Sequence, residues 1–147
     1  MSRNRDLDVT VEPARIDVER LVLFDRHSRR FCDNAPESLA SFMSPDPARV
    51  PCPCVEIAVR LSGRLLATSY LDVGRTSTSS VYAMFDPEFA PRSLGILTML
   101  CEIDWSKRQG KRNYYPGYAT ESPSAYDYKK RFTGLDVYDW ATWRSFS

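Results

Sequence analysis

The chain lacks the features that would place it in a membrane, in an export route or on a polyanion. No apolar run approaches the roughly 20 residues that span a bilayer, and the opening Met1-Ser2-Arg3-Asn4-Arg5 has none of the apolar character of a secretory signal. The expected compartment is the cytoplasm, with no membrane partner. Charge of one sign is also missing, since 20 Lys and Arg stand against 19 Asp and Glu for a formal net charge of +1. Contact with nucleic acid must therefore come from local clusters such as Arg26-His27-Ser28-Arg29-Arg30. Histidine is nearly absent. A hydrolytic triad built on imidazole has only His27 to use, and that residue stands among arginines on an expected helix, where it reads as a solvated side chain.

Cysteine is sparse, at four residues, and without an export signal these read as thiols rather than as a disulfide framework. Pro51-Cys52-Pro53-Cys54 is a single C-x-C with no second paired motif. Even with Cys32 and His27 it is too little to specify a metal, so no metal site is expected. Cys101 reads as packing on the apolar face of a helix.

What is present is enough apolar material, 43% of 147 residues, for one core and one domain over 1–147, with 1–12 expected to be flexible. The spacing of Ile16, Arg20, Leu23 and Phe24 predicts an amphipathic helix over 13–31, and Pro36 opens a second short helix over 36–43. Four prolines make 44–53 a loop. Strands follow over 55–61 and 65–73, joined by Ser62-Gly63-Arg64 with glycine where a positive φ is needed, and a third over 78–85. A helix over 94–109 closed by Gly110, a strand over 112–118 and a last strand over 135–138 complete an α+β order.

The chain is organised around residues 79–103, where the apolar period changes from the two of a strand to the near four of a helix. Between the two elements, Asp86-Pro87-Glu88 ends the strand because proline has no amide donor. Arg92-Ser93-Leu94-Gly95 then supplies a capping hydroxyl and a glycine at the helix entrance, where unpaired amides can meet an anion. That arrangement is the physical part of a phosphate site, but on topology alone it reads first as an ordinary helix start.

Ser79-Ser80-Val81-Tyr82, Asp86-Pro87, Ser93-Leu94-Gly95 and Glu102-Ile103 occur here in order, followed by Tyr114-Tyr115-Pro116-Gly117-Tyr118 and by Tyr128-Lys129 with Arg131-Phe132. Upstream lie Gly63-Arg64-Leu65-Leu66-Ala67 and Leu71-Asp72-Val73. Together these motifs resemble the C-terminal domain of arginyl-tRNA protein transferases and of bacterial aspartate/glutamate leucyltransferases. The resemblance runs from about Leu21 to Trp143. It implies a GNAT-like fold, the architecture of acyl-CoA N-acyltransferases, with a mostly antiparallel central sheet and flanking helices. It further implies transfer of arginine or leucine from charged tRNA to the N-terminal α-amine of proteins beginning with acidic residues, in the N-degron pathway. The donor substrate is then aminoacyl-tRNA, and no cofactor is needed.

An aminoacyl ester is already activated and an α-amine has a pKa near roughly 8, so positioning should outweigh acid–base power. The site must stack a terminal adenosine, stabilise an oxyanion and meet an acidic side chain with a cation. On the resemblance, Tyr82, Asp86 and Tyr128 are the catalytic candidates, with Glu102 a further proton relay. Arg92, Ser93, Gly95, Tyr115 and Tyr118 are candidates for donor or tRNA binding, and Tyr114 joins the aromatic set around the two strands that would splay at the site. Lys129 and Arg131 would bind the acceptor's carboxylate or a tRNA phosphate.

Two departures from the family pattern bear on this reading. Pro123-Ser124-Ala125-Tyr126 stands where the family usually carries C-x-K-M, and the family's Cys-rich N-terminal domain is absent, which makes a partner chain in its place an expectation. The alternatives are a GNAT-type acyltransferase using acetyl-CoA on an amine and a non-catalytic binding module that needs a partner chain. Leu97 sits where acetyltransferases of this architecture keep a small residue against the diphosphate, which weakens the acetyl-CoA reading.

Overall fold

Alternating apolar residues over three consecutive segments build the centre of a five-stranded sheet, described in a computed structural model for residues 2–146. The strands are β1 (Asp8–Pro13), β2 (Cys54–Leu61), β3 (Arg64–Val73), β4 (Ser77–Phe85) and β5 (Asn113–Tyr115), and they lie in the order β1-β2-β3-β4-β5. All neighbours are antiparallel except β4 and β5, which run parallel. Such an order needs a crossover between β4 and β5, and helix α2 (Leu94–Arg108) supplies it. The β2–β3 hairpin closes through Ser62 and Gly63, with φ of 49° and 85°. Both values suit a two-residue turn whose twist matches the strands.

Two apolar layers cover the sheet. On one face α1 (Val18–Ser28) lays Leu23 and Phe24 over Cys54, Ala58, Tyr70 and Met84. On the other, Leu94 of α2 packs with Val59, Leu66 and Ala67, beside the half-buried Phe85 and Leu97. The α1 layer also holds a buried ion pair. Arg20 and Glu56 are both fully buried, with Nη2–Oε1 at 2.5 Å and Nε–Oε2 at 3.3 Å. Thr68 donates to Glu56 at 3.2 Å, while Asp17 caps α1 through the Arg20 amide and also accepts from the Arg20 guanidinium. Burial pushes the Glu56 carboxyl up, with the Arg20 guanidinium opposing it.

Several expected elements differ. The helix expected over 13–31 starts at Val18, because Pro13 ends β1 and Asp17 is the cap. Residues 8–12, within the stretch expected to be flexible, pair with β2 together with Pro13, in full register from Asp8↔Arg60 to Pro13↔Val55. The helix expected over 36–43 reduces to a single 3-10 turn, Leu39–Ser41, with no side-chain cap. Leu39 within that turn and Met43 just beyond it are both buried in the α1-side core. The strand expected over 112–118 stops at Tyr115, since Pro116 has no amide to continue a ladder.

The described residues divide into two compact units between Tyr115 and Pro116. The second unit contains a 3-10 turn, Asp127–Arg131, and a hairpin of β6 (Asp136–Tyr138) and β7 (Trp143–Ser145). Here β6 matches the strand expected over 135–138, and β7 was not expected.

Candidate functional site

The parallel pairing of β4 with β5 covers only Ser77↔Asn113, Thr78↔Tyr114 and Ser79↔Tyr115. Beyond that point β4 continues to Phe85 while β5 has ended, and among the described residues no strand pairs with β4 on that side; this end of the pairing is the fork. The β4 residues from Ser80 to Phe85 are half-buried, apart from the buried Met84. A register shift between Tyr70 and Leu71 leaves Val81 without a β3 partner, and this bulge re-aims the side chains of β4. Thr78 and Ser80 reach α2, whereas Tyr82 packs on the α1 layer.

Glu102 of α2 is buried at the mouth of this fork. Its Oε2 accepts from the Tyr114 hydroxyl at 2.5 Å and its Oε1 from the Ser80 hydroxyl at 3.4 Å. One turn on, the Ser106 hydroxyl donates to the Glu102 carbonyl and lies 2.7 Å from the Thr78 hydroxyl. Residues from β4, β5 and α2 therefore meet at Glu102, with Tyr114 and Ser80 on its buried carboxylate and the Thr78–Ser106 pair on its backbone carbonyl. A carboxylate held between two hydroxyls can hold a phenol in place and take up or return its proton without exposure to bulk water. Tyr114 and Glu102 were both named as candidates from the sequence; Ser80 was read only as part of the Ser79-Ser80-Val81-Tyr82 motif, and Thr78 and Ser106 were not singled out, because serine and threonine in strands and helices carry no spacing signal.

Tyr82 takes a different neighbourhood from Tyr114. Its ring stacks on Phe42 with centroids 4.4 Å apart and an interplanar angle of 16°, and it meets the edge of His27 at 6.1 Å. The expected single aromatic set is thus split across the sheet by the bulge. His27, expected in solvent, is 4% exposed, with Nδ1 3.1 Å from the Phe85 amide nitrogen. Burial pushes its pKa down to about 4, opposed by the hydrogen bond at Phe85 and helped by the Arg30 charge. Flanking arginines made the helix look solvated, but Arg26 reaches the buried Asp86 and Arg30 lies over the Phe85 ring, so they cover the imidazole that packs against β4.

At the entrance to α2, Asp86 caps the 3-10 turn Pro87–Arg92 by accepting from the Glu88 amide. Its carboxylate also receives Arg26 at 3.0 Å and Arg64 at 2.5 Å. Burial works to raise this carboxyl, but the Glu88 amide and the two guanidinium groups win and hold it below the usual range. Such a group is a brace between α1, β3 and the turn, and a weak base. Ser93 has φ of 56° and no side-chain capping bond, contrary to the expected hydroxyl cap; its left-handed backbone instead turns the chain into α2. Arg92 is paired with Asp6 through both guanidinium nitrogens at 2.8 and 2.9 Å. A Cβ on Gly95 would meet Phe85 at 3.9 Å, an ordinary contact, so packing alone does not demand glycine there. Tyr115 ends β5 and is 39% exposed.

In the second unit, Tyr128, Lys129 and Arg131 lie on the 3-10 turn Asp127–Arg131. Lys129 donates to the Pro116 carbonyl at 2.6 Å and to the Tyr118 carbonyl at 3.4 Å, and its ammonium lies 5.1 Å from the centre of the Tyr126 ring. Arg131 and Tyr118 are exposed. Among the described residues no group of three His, Cys, Asp or Glu side chains is placed to hold a metal ion, and no helix is long and apolar enough to cross a membrane.

Comparison with known proteins agrees with this architecture. An aspartate/glutamate leucyltransferase of Xanthomonas axonopodis pv. citri (strain 306) is 40% identical over 84 residues, 57% of this chain and 34% of that protein. One from Stenotrophomonas maltophilia (strain K279a) is 30% identical over 99% of this chain and 61% of its own length. The chain thus spans between a third and two thirds of the length of these relatives. Among solved structures, an acetyltransferase of Trypanosoma brucei superposes with a TM-score of 0.55 at 16% identity, covering 90% of this chain and 96% of the other, which shows the GNAT-like fold. The family profile described as arginine-tRNA-protein transferase, C terminus, matches residues 19–139, and the chain belongs to that family.

Proposed function

We propose that this chain is the acyl-transferring domain of an aminoacyl-tRNA protein transferase, passing leucine or arginine to the N-terminal amine of proteins that begin with Asp or Glu, as a step in the N-degron pathway. The observation that carries the reading is the family match over 19–139, which includes the β4–β5 fork and the Glu102–Tyr114 pair. In this reaction the acceptor nitrogen bonds to the ester carbonyl carbon of the donor and the ester C–O bond breaks. The nucleotide hydroxyl leaves with the proton that the amine gives up.

The fork provides a strand edge on which an extended acceptor terminus can lie, with backbone groups of β4 between Ser80 and Met84 as partners, since Phe85 is taken by His27. The Tyr114 phenol and its Glu102 acceptor are the groups we assign to the transferred proton or the oxyanion, with Tyr82 and Tyr128 as further phenols to be tested. Asp86, committed to two arginines, holds the turn instead. In the first unit, Arg92, Ser93 and Gly95 at the α2 entrance and Tyr115 at the end of β5 are candidates for the donor; in the second, Tyr118 is a separate candidate for the donor, and Lys129 and Arg131 for the acceptor carboxylate or an RNA phosphate.

The relatives carry further length that this chain does not match, and a partner chain or segment supplying acceptor selection belongs to the same proposal. The test offers leucyl-tRNA and arginyl-tRNA separately to peptides beginning with Asp, Glu or Ala. Transfer confined to the acidic peptides and to one donor supports the reading and names the amino acid. Transfer of an acetyl group from acetyl-CoA, with none from either tRNA, would replace it with the acetyltransferase reading.

A further inference from the structure

The second unit exposes aromatic rings to a degree that its packing does not account for. Tyr118 is 81% exposed and Trp140 is 79% exposed, and their rings stand nearly parallel, with centroids 6.4 Å apart and an interplanar angle of 26°. A planar guest held between two rings needs roughly 7 Å, two van der Waals contacts of about 3.5 Å each. The centroid distance is an upper bound on the spacing of the two planes, so a guest ring enters between them only when these exposed side chains part by a further small rotation.

Trp140 is also held in a costly backbone conformation. Its φ is 71°, in the left-handed region that bulky residues avoid. The turn that imposes this is built by Asp139, whose Oδ1 accepts from the Ala141 amide at 3.1 Å and the Thr142 amide at 2.9 Å, while its own amide donates to the Thr142 carbonyl. These bonds hold the Asp139 carboxyl below its usual range. Glycine or asparagine would fit the same turn without strain. The aliphatic residues Leu135 and Val137 are half-buried, so exposure on the hairpin side belongs to rings and polar groups.

Two cations border the pair. Lys129 is hydrogen-bonded to the Tyr118 carbonyl, and Arg144 lies 3.8 Å from the Asp139 carboxylate that shapes the Trp140 turn. Flat faces flanked by cations are the arrangement that takes unpaired bases with their phosphates.

We infer that Tyr118 and Trp140 form a clamp for one unpaired nucleobase at the single-stranded end of an RNA. The inference rests on the transferase reading for the identity of that RNA as the donor's 3′ end, and on the geometry alone for the base.

The test uses the full chain and a fluorescently labelled single-stranded RNA ending in cytidine-cytidine-adenosine, with anisotropy as readout and a blunt duplex of the same RNA for comparison. Trp140→Gly is the informative variant, because it relieves the left-handed strain while deleting the ring. Its thermal midpoint should be equal to or above that of the parent and its affinity for the single strand weaker by about tenfold or more. Trp140→Leu should lose affinity similarly, and Trp140→Tyr should keep most of it. Parent-like RNA affinity in Trp140→Gly or Trp140→Leu would overturn the clamp. So would a Trp140 dependence seen with a peptide beginning with Asp and not with the RNA, which would make the surface a protein contact. Trp140-dependent RNA binding in a parent chain that transfers no amino acid would support the clamp and count against transfer by this chain without a partner; unaltered RNA binding in Trp140→Gly with transfer intact would overturn the clamp and leave the transferase reading standing.

Discussion

Nδ1 of His27 lies 3.1 Å from the amide nitrogen of Phe85, so an imidazole on α1 takes the place of a neighbouring strand at the end of the forked β4. The Phe85 carbonyl is also 3.1 Å from Nδ1, so with its proton on Nε2 the neutral ring accepts the Phe85 N–H, whereas a protonated Nδ1 loses that bond, can donate to the carbonyl instead, and puts a charge in a site shared with Phe31, Tyr82 and Phe85. The folded pKa of about 4 lies below the ordinary 6.5, so the unfolded chain takes up the proton first as pH falls. The stabilisation is complete above pH 6.5 and is lost on descent to about 4, amounting to about 3 kcal/mol across that window. Urea unfolding of the parent and His27→Gln at pH 7 and pH 4.5 checks this: the parent should lose more stability than the variant, and equal losses would remove His27 as the titrating group.

The buried Arg20–Glu56 pair joins α1 to the sheet and should be costly to break from one side. Glu56→Gln is expected to destabilise by about 3 kcal/mol or more, because the Arg20 charge then stays buried with weaker partners. Replacing both, as Arg20→Met with Glu56→Leu, should recover most of that loss. Thermal unfolding of the single and double variants decides it; additive losses would contradict the account.

Asp86 is expected to matter for stability and not for proton transfer. Asp86→Asn should lower stability by about 2 kcal/mol, since it weakens two charged hydrogen bonds and the cap on the Glu88 amide. The pH profile of transfer should keep its shape. A displaced profile in a variant that still folds would restore Asp86 as a proton carrier.

Gly95→Ala separates packing from donor binding. Since the added Cβ meets Phe85 at 3.9 Å, the fold should accept it, with helix propensity adding about 0.5 kcal/mol of stability. If the donor's phosphates close on this backbone, KM for charged tRNA rises while kcat holds. An unchanged KM would take Gly95 out of donor binding.

Much of the first unit was legible in the sequence because punctuation coincided with period. Gly63 marked the β2–β3 hairpin and Gly110, with φ of 69°, marked the end of α2. β1 was missed because Val9 and Val11, at 40% and 41% exposure, alternate within a polar run at a sheet edge, where the burial that makes a strand readable is weak. The candidate site was legible in its residue types and not in its arrangement. Tyr82 and Tyr114 sit in similar tyrosine-bearing strands, yet the bulge at Val81 sends one to α1 and the other falls under α2. A one-residue change of pairing leaves no mark in composition. His27 was misplaced for a related reason, since burial of a short ring beneath long arginines is decided by the sheet and not by neighbours in the chain.

The measurement that bears most directly on the central claim is transfer of labelled amino acid from total charged tRNA to a peptide beginning with Asp, with and without ribonuclease, using the parent, Tyr114→Phe and Glu102→Gln. The account expects ribonuclease-sensitive labelling by the parent and a fall of about tenfold or more in both variants, with stability lowered by only about 1–2 kcal/mol. Parent-level labelling by both variants would contradict the placement of the chemistry at the fork, and labelling that survives ribonuclease would contradict the tRNA donor itself.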